Sequence, residues 1–181
     1  MVECEKSGSV SAKTPLRADP TVLAIVGILA GAAAPSLQDL RERGHVEGVA
    51  AQLETDIQLA RGAAVLYSEG VRLSFQDTAH GSCYIVHTGD ADACECGTSG
   101  PAVCKPGVAS IRTVRVGRDV PVRLSSNSGS IFFEHSRGTV TPTATIQVVG
   151  SGGHTLHQVV NLMGRVRSCV PGGTWSPYKA C

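Results

Sequence analysis

Aromatic residues are scarce in this 181-residue chain, which has three Phe, three Tyr and one Trp. Proteins that bind single-stranded nucleic acid without sequence preference stack successive bases on aromatic side chains, so the composition disfavours this class. Charged residues make up only 17% of the chain and hydrophobic residues 42%, which predicts a folded core rather than disorder. The length fits one domain with an appendage.

Catalytic and cofactor motifs are also missing from the sequence. No Gly-x-Ser-x-Gly nucleophile elbow occurs, and the glycine-rich residues 150–153 lack the Lys-Ser/Thr end of a phosphate loop. His154 and His157 are three residues apart, which places them on opposite faces of a strand rather than at one metal site. We therefore expect no catalytic residue, no cofactor and no metal site, and a protein that is not an enzyme.

Charge is divided unequally along the chain. Residues 1–104 contain seven Lys/Arg and thirteen Asp/Glu, a balance of −6, whereas residues 105–181 contain nine and two, a balance of +7. Such asymmetry indicates an anionic partner such as nucleic acid or a membrane surface, although a solvated basic face without a partner gives the same count.

Seven cysteines indicate either zinc binding or disulfides in an oxidising compartment. Cys94 and Cys96 are one residue apart, which is outside the usual spacing of zinc ligands, so disulfides are the preferred interpretation. Cys169 and Cys181 are expected to close a loop at the C-terminus. The pairing among Cys83, Cys94, Cys96 and Cys104 is left open, and Cys4 is the odd cysteine.

Three regions follow one another along the chain. Residues 1–20 form a polar extension, and residues 21–35 form an uncharged apolar segment that is either a signal peptide or, preferably, an uncleaved membrane anchor. Its uncharged core of about thirteen residues reaches only about 20 Å as a helix, short of the roughly 30 Å of membrane hydrocarbon. Residues 36–181 form the globular domain.

The globular domain is predicted to contain a helix over residues 36–67 and a β-rich part over 70–181. Apolar residues recur at helical spacing along one stripe of the helix and should pack on a sheet. They are Val46, Val49, Leu53, Ile57, Ala60 and Ala64. Seven strand-like runs follow, separated by turn-forming clusters: 71–75, 83–87, 111–116, 120–124, 131–133, 143–149 and 155–161. The predicted class is α+β, with a long N-terminal helix before an antiparallel sheet.

Three segments resemble a known family. VLAIVGILAGAAAP at 22–35 resembles the hydrophobic helix of type IV pilins and type II secretion pseudopilins. QLETDIQLARGAAVLYSEGVRLSF at 52–75 and the ending from NLMGRVRSC at 161–169 resemble the FimT/GspH minor pilin family. The resemblance implies a non-enzymatic, single-pass inner-membrane protein whose globular domain lies in the periplasm, in a pilus or pseudopilus with other pilins. Residues 11–21 lack the glycine and glutamate with which the family begins its mature helix.

The Gly164-Arg165-Val166-Arg167 segment is the strongest chemical feature. In a strand, Arg165 and Arg167 project to one face about 7 Å apart, close to the spacing of adjacent phosphates, although any edge strand can alternate in this way. Gly164 would let a phosphate backbone approach closely.

The resemblance adds a role for this segment, because in FimT-like minor pilins a Gly-Arg-x-Arg motif is implicated in binding DNA for uptake. Lys179 lies in the same C-terminal loop, and Lys105, Arg118, Arg123 and Arg137 supply the rest of the basic half. The expected partner is the phosphate backbone of double-stranded DNA, bound without base specificity. The alternative is a GspH-like pseudopilin of type II secretion, whose same surface would contact other proteins.

Overall fold

The computed structural model describes residues 20–173, 175 and 177–181, and for residues 22, 23 and 26–36 it describes the backbone alone. The predicted extension 1–20, except Pro20, and most side chains of the predicted anchor 21–35 therefore lie outside the described residues. Within the part that is described, no helix is both long and apolar enough to cross a membrane. The chain divides into two units, Met1–Leu37 and Gln38–Cys181, and the sheets, the core and the candidate site described below belong to the second.

Helix α1 runs without a break over Pro20–Tyr67, so it begins earlier than residue 36 and passes through Pro35. Its buried apolar positions follow the predicted stripe, except that Ala50 and Ala63 are also buried while Val49 is only partly so. At the end of the helix, Ser68 adopts a left-handed backbone conformation with a φ of 52°. The chain then turns into the first strand.

In the described residues, twelve strands follow the helix and form two five-stranded sheets and a small hairpin. The first sheet has the order β5-β2-β1-β7-β8, with β1 Val71–Thr78, β2 Gly81–Thr88, β5 Ser110–Gly117, β7 Ser130–Phe133 and β8 Val140–Thr141. The second has the order β12-β11-β10-β9-β6, with β6 Val122–Ser126, β9 Ala144–Gly150, β10 Thr155–Val160, β11 Val166–Val170 and β12 Lys179–Ala180. The hairpin pairs β3 Cys94–Glu95 with β4 Val103–Cys104. All pairs are antiparallel except β11 with β12, so the predicted α+β class is confirmed.

One hydrophobic core joins α1 to the inward faces of both sheets. Side chains from the helix, from β2 and from β10 meet there, including Ile57, Tyr84 and Leu156, each fully buried. A polar group sits inside this core: Asp56 of α1 is 2% exposed and accepts a 2.7 Å hydrogen bond from the hydroxyl of Tyr84. Burial, followed by the contact with Asp56, raises the pKa of Tyr84. The helix is thus fastened to the first sheet by a specific bond as well as by apolar contact.

The outward face of the first sheet is covered by a disulfide-braced segment, residues 89–109. The disulfides Cys83–Cys96 and Cys94–Cys104 tie this cover to β2 and close its hairpin. Ile85 packs beneath it in a second, smaller apolar cluster. The pairing left open by the sequence is therefore Cys83 with Cys96 and Cys94 with Cys104.

His87 lies buried on the same face of β2. Its Nδ1 is 2.8 Å from the carbonyl oxygen of Thr88 and its Nε2 is 2.8 Å from the hydroxyl of Ser74. A carbonyl only accepts, so Nδ1 carries the proton and the serine hydroxyl donates to Nε2 of the neutral ring. Burial is the main reason why the pKa of His87 is lowered.

Candidate nucleic-acid interface

The predicted basic motif lies where β10 turns back into β11, on the second sheet. The side chain of Asn161 braces this turn, because its Oδ1 accepts hydrogen bonds from the backbone N–H groups of Met163, at 3.0 Å, and Arg165, at 2.9 Å. The backbone N–H of Asn161 in turn donates to the carbonyl of Arg165. The turn is therefore held in one conformation, and Arg165 is fixed at the point where it ends.

Arg165 and Arg167 point outward from the second sheet. Both are exposed, and Val166 between them is partly buried. In the β10–β11 register Val166 lies opposite Val160, a fully buried core residue. Directly opposed residues share a face, so Val166 points to the core while the two arginines point away from it, about 7 Å apart.

Lys179 joins the two arginines on this outward face. Strand β12 pairs with β11 in parallel and places Lys179 opposite Cys169, and Lys179 is exposed. The Cys169–Cys181 disulfide, with 4.9 Å between the two Cα atoms, closes this edge, and the backbone N–H of Cys181 donates to Val170. One strand spacing and two residues of rise put the Cα atoms of Lys179 and Arg167 about 8 Å apart. The edge of the sheet thus presents a row of three cations.

The structure gives Gly164 a different role from the predicted one. Gly164 is buried and has a φ of 70°, which a turn of this kind requires. A Cβ atom there would lie 3.2 Å from Cδ of Arg61 and 3.3 Å from Cγ2 of Val140. The glycine therefore faces the helix and β8, and its bare backbone is not where a phosphate would approach.

The remaining basic residues do not all belong to this face. Arg123 forms an ion pair with Asp77, and Lys105 pairs with Asp92 at 2.7 Å on the cover of the first sheet. In the described part of the chain, by contrast, Arg165, Arg167 and Lys179 have no acidic partner within 4.0 Å. These three unpaired cations lie together at the β10–β11 turn and along the β11–β12 edge.

Sequence reasoning missed one cation of this region, Arg61. Its side chain is partly buried, and the structure places it between Gly164 and Gly138, the latter in the turn from β7 to β8. A Cβ atom at Gly138 would lie 3.3 Å from Nε of Arg61. Helical periodicity gives the face on which a residue lies, but it carries no signal for the distant turns that reach that face.

A sequence model of the family described as Type II transport protein GspH matches residues 49–164. This stretch is more than half of the chain, and it runs from the buried part of α1 to the Gly164 turn. The chain belongs to this family. The match to GspH thus includes most of the strands of both sheets, while the β11–β12 edge lies beyond it.

The fold of this GspH-family chain is similar to that of the type IV minor pilin FimU of Pseudomonas aeruginosa in its crystal structure. The TM-score is 0.52 at 16% sequence identity, over 71% of this chain and 90% of that chain. At this identity the likeness concerns the fold alone. No curated protein matches the chain at a significant level. Family and fold together identify a GspH/FimT-like minor pilin, a structural subunit type, as the sequence resemblance predicted.

Proposed function

We propose that this minor pilin binds double-stranded DNA through its phosphate backbone and serves DNA uptake or pilus biogenesis. One observation carries the proposal: Arg165, Arg167 and Lys179 form an exposed row without acidic partners among the described residues. Arginine forks remain charged and bind phosphate oxygens in pairs, and their spacing of about 7 Å suits successive phosphates.

The position of the row supports access to a long polymer. At one end of the domain, Asp39 near the beginning of its helix contacts His154 in the turn between β9 and β10. At the other end, Arg61 contacts the β10–β11 turn. These two contacts are about 33 Å apart along α1. We place residues 21–35 in the inner membrane as a single-pass anchor, the domain in the periplasm, and other pilins along the filament.

A titration of labelled duplex DNA with the full chain in non-ionic detergent tests this proposal by fluorescence anisotropy. Two duplexes of unrelated sequence should bind alike, with a Kd of about 10⁻⁴ to 10⁻⁶ M, because phosphates carry no sequence information. Each phosphate contact adds about 0.9 to the slope of log K against log salt. Replacing Arg165 and Arg167 by Gln should therefore lower the slope by about 1.8.

In practical terms, raising the salt fourfold should reduce wild-type affinity about 12-fold more than it reduces the affinity of the double variant. Arg118→Gln, at an exposed arginine in the turn before β6, is the control and should behave like the wild type. Absence of DNA binding by the wild type at low salt would instead favour the alternative, a GspH-like pseudopilin of type II secretion. The family match supports that alternative, and the same edge would then contact proteins.

A further inference from the structure

We propose that Arg61, Arg137 and Arg165 form one phosphate-binding cluster, in which Arg61 of α1 contacts the DNA directly. The inference rests on the proposed function and extends its site from the β11–β12 edge around the end of the domain. The three residues, here called the arginine cluster, come from the helix, the β7–β8 turn and the β10–β11 turn.

The contacts of Arg61 show how the cluster is assembled. Its side chain passes between Gly138 and Gly164, two buried glycines whose φ angles are 63° and 70°. A Cβ atom at either glycine would lie within 3.3 Å of the Arg61 side chain, which is closer than ordinary packing distance. The two turns thus leave a channel for Arg61 where any larger residue would push it aside.

The two other arginines flank this channel. Arg137 precedes Gly138 and Arg165 follows Gly164 in the chain, and both side chains are exposed. The two turns are held side by side, because the backbone N–H of Val140 donates a 2.8 Å hydrogen bond to the carbonyl of Leu162. Three arginines from three separate segments therefore lie at one end of the domain.

No ion pair explains this gathering of cations. Over the described ranges, none of the three arginines has a carboxylate within 4.0 Å. The carboxylate in the β7–β8 turn, Glu134, accepts hydrogen bonds from the backbone N–H groups of Ser136, at 3.0 Å, and Arg137, at 2.9 Å, and from the Ser136 hydroxyl. It is used to hold its own turn. Like charges placed together repel, so the arrangement is unfavourable until an anion binds between them.

Duplex DNA is the anion that the surroundings favour. Arg165 belongs both to the arginine cluster and to the row that continues through Arg167 to Lys179, so the cations form one track along the edge of the domain. A polymer with regularly spaced phosphates can occupy the whole track, whereas a single small anion would use only one part of it.

The test compares Arg61→Gln with Arg61→Lys in the full chain, by the same DNA titration in detergent. We expect Arg61→Gln to lower the slope of log K against log salt by about 0.9. A fourfold rise in salt should therefore reduce the affinity of the wild type about 3.5-fold more than it reduces the affinity of this variant. Arg61→Lys should keep the wild-type slope, because it keeps the charge. Arg41→Gln, at an exposed arginine near the middle of α1, is the matched control and should change nothing.

Arg137→Gln provides a second variant in an exposed turn, in case the loss of the Arg61 side chain impairs folding. The arginine cluster would be overturned if both Gln variants fold and keep the wild-type salt slope while the Arg165/Arg167 double variant binds more weakly. If Arg61→Gln does not fold, a wild-type slope for Arg137→Gln alone would overturn it. In either case the proposed function would still stand. Absence of DNA binding by the wild type would overturn both. The wild type is also tested for binding to vesicles rich in anionic lipid. If Arg61→Gln loses vesicle binding but keeps DNA binding, the cluster binds a lipid headgroup and the proposed DNA contact is refuted.

Discussion

Replacing Tyr84 by Phe should destabilise the domain by about 2 kcal/mol. The hydroxyl of Tyr84 donates to Asp56, which is 2% exposed, and hydrogen bonds to charged groups contribute about 1.5–3 kcal/mol. Asp56 keeps two other neighbours, the amide of Gln52 at 3.0 Å and Arg112 at 3.5 Å, so it is not left unpaired. The expected loss is therefore within this range rather than above it.

Urea unfolding followed by circular dichroism measures this change. The midpoint should fall at an unchanged m-value, and the thermal midpoint should drop by about 6 °C, since 1 kcal/mol corresponds to about 3 °C in a domain of this size. Tyr67→Phe is the control, because Tyr67 is 62% exposed at the end of α1 and should change stability by less than about 0.5 kcal/mol. If Tyr84→Phe is as stable as Tyr67→Phe, the buried hydrogen bond does not fasten the helix to the sheet.

Three further predictions concern the rest of the domain. Burial lowers the pKa of His87 below the value of about 6.5 that it has in the unfolded chain, so the free energy of unfolding should fall as the pH drops below about 6.5. In urea titrations at several pH values, His87→Gln should depend less on pH than the wild type. An equal pH dependence of the two proteins would contradict the assignment. Replacing Cys169 and Cys181 by Ser should cost about 3 kcal/mol, and finding both native thiols open to alkylation by mass spectrometry would refute the bond. Deleting residues 1–35 should leave a domain that unfolds cooperatively, and a non-cooperative thermal transition would show that the boundary is wrong.

The parts of the fold that sequence predicts well are those with a repeated pattern. The apolar stripe from Val46 to Ala64 predicts the buried face of α1, and the seven alternating runs correspond to β1, β2, β5, β6, β7, β9 and β10. Strand β11 is not among these runs, although the prediction for Arg165 and Arg167 already places their segment in a strand. The other missed strands, β3, β4, β8 and β12, have two residues each, which is too short for any alternation to be recognised. They form because disulfides and neighbouring strands hold them, and those constraints come from distant parts of the chain.

The candidate site was predictable to the same extent. Alternation alone places Arg165 and Arg167 on one face. The neutralisation of Arg123 was hidden, because its partner Asp77 is 46 positions away in the sequence. The contact of Arg61 with Gly164 was hidden for the same reason, and so was the choice among possible cysteine pairings, which spacing does not determine.

The packing of α1 also determines how the domain would respond to mechanical tension. The helix contacts the β9–β10 turn near Asp39 and the β10–β11 turn at Arg61, and its buried face rests on the core between these points. A pull along the helix axis therefore loads the core contacts in shear, and they must slip together. A pull across the sheet would separate strands one at a time, but the Cys169–Cys181 bond prevents the C-terminal edge from peeling away first. A domain built in this way should resist traction along the helix axis better than traction across the sheet.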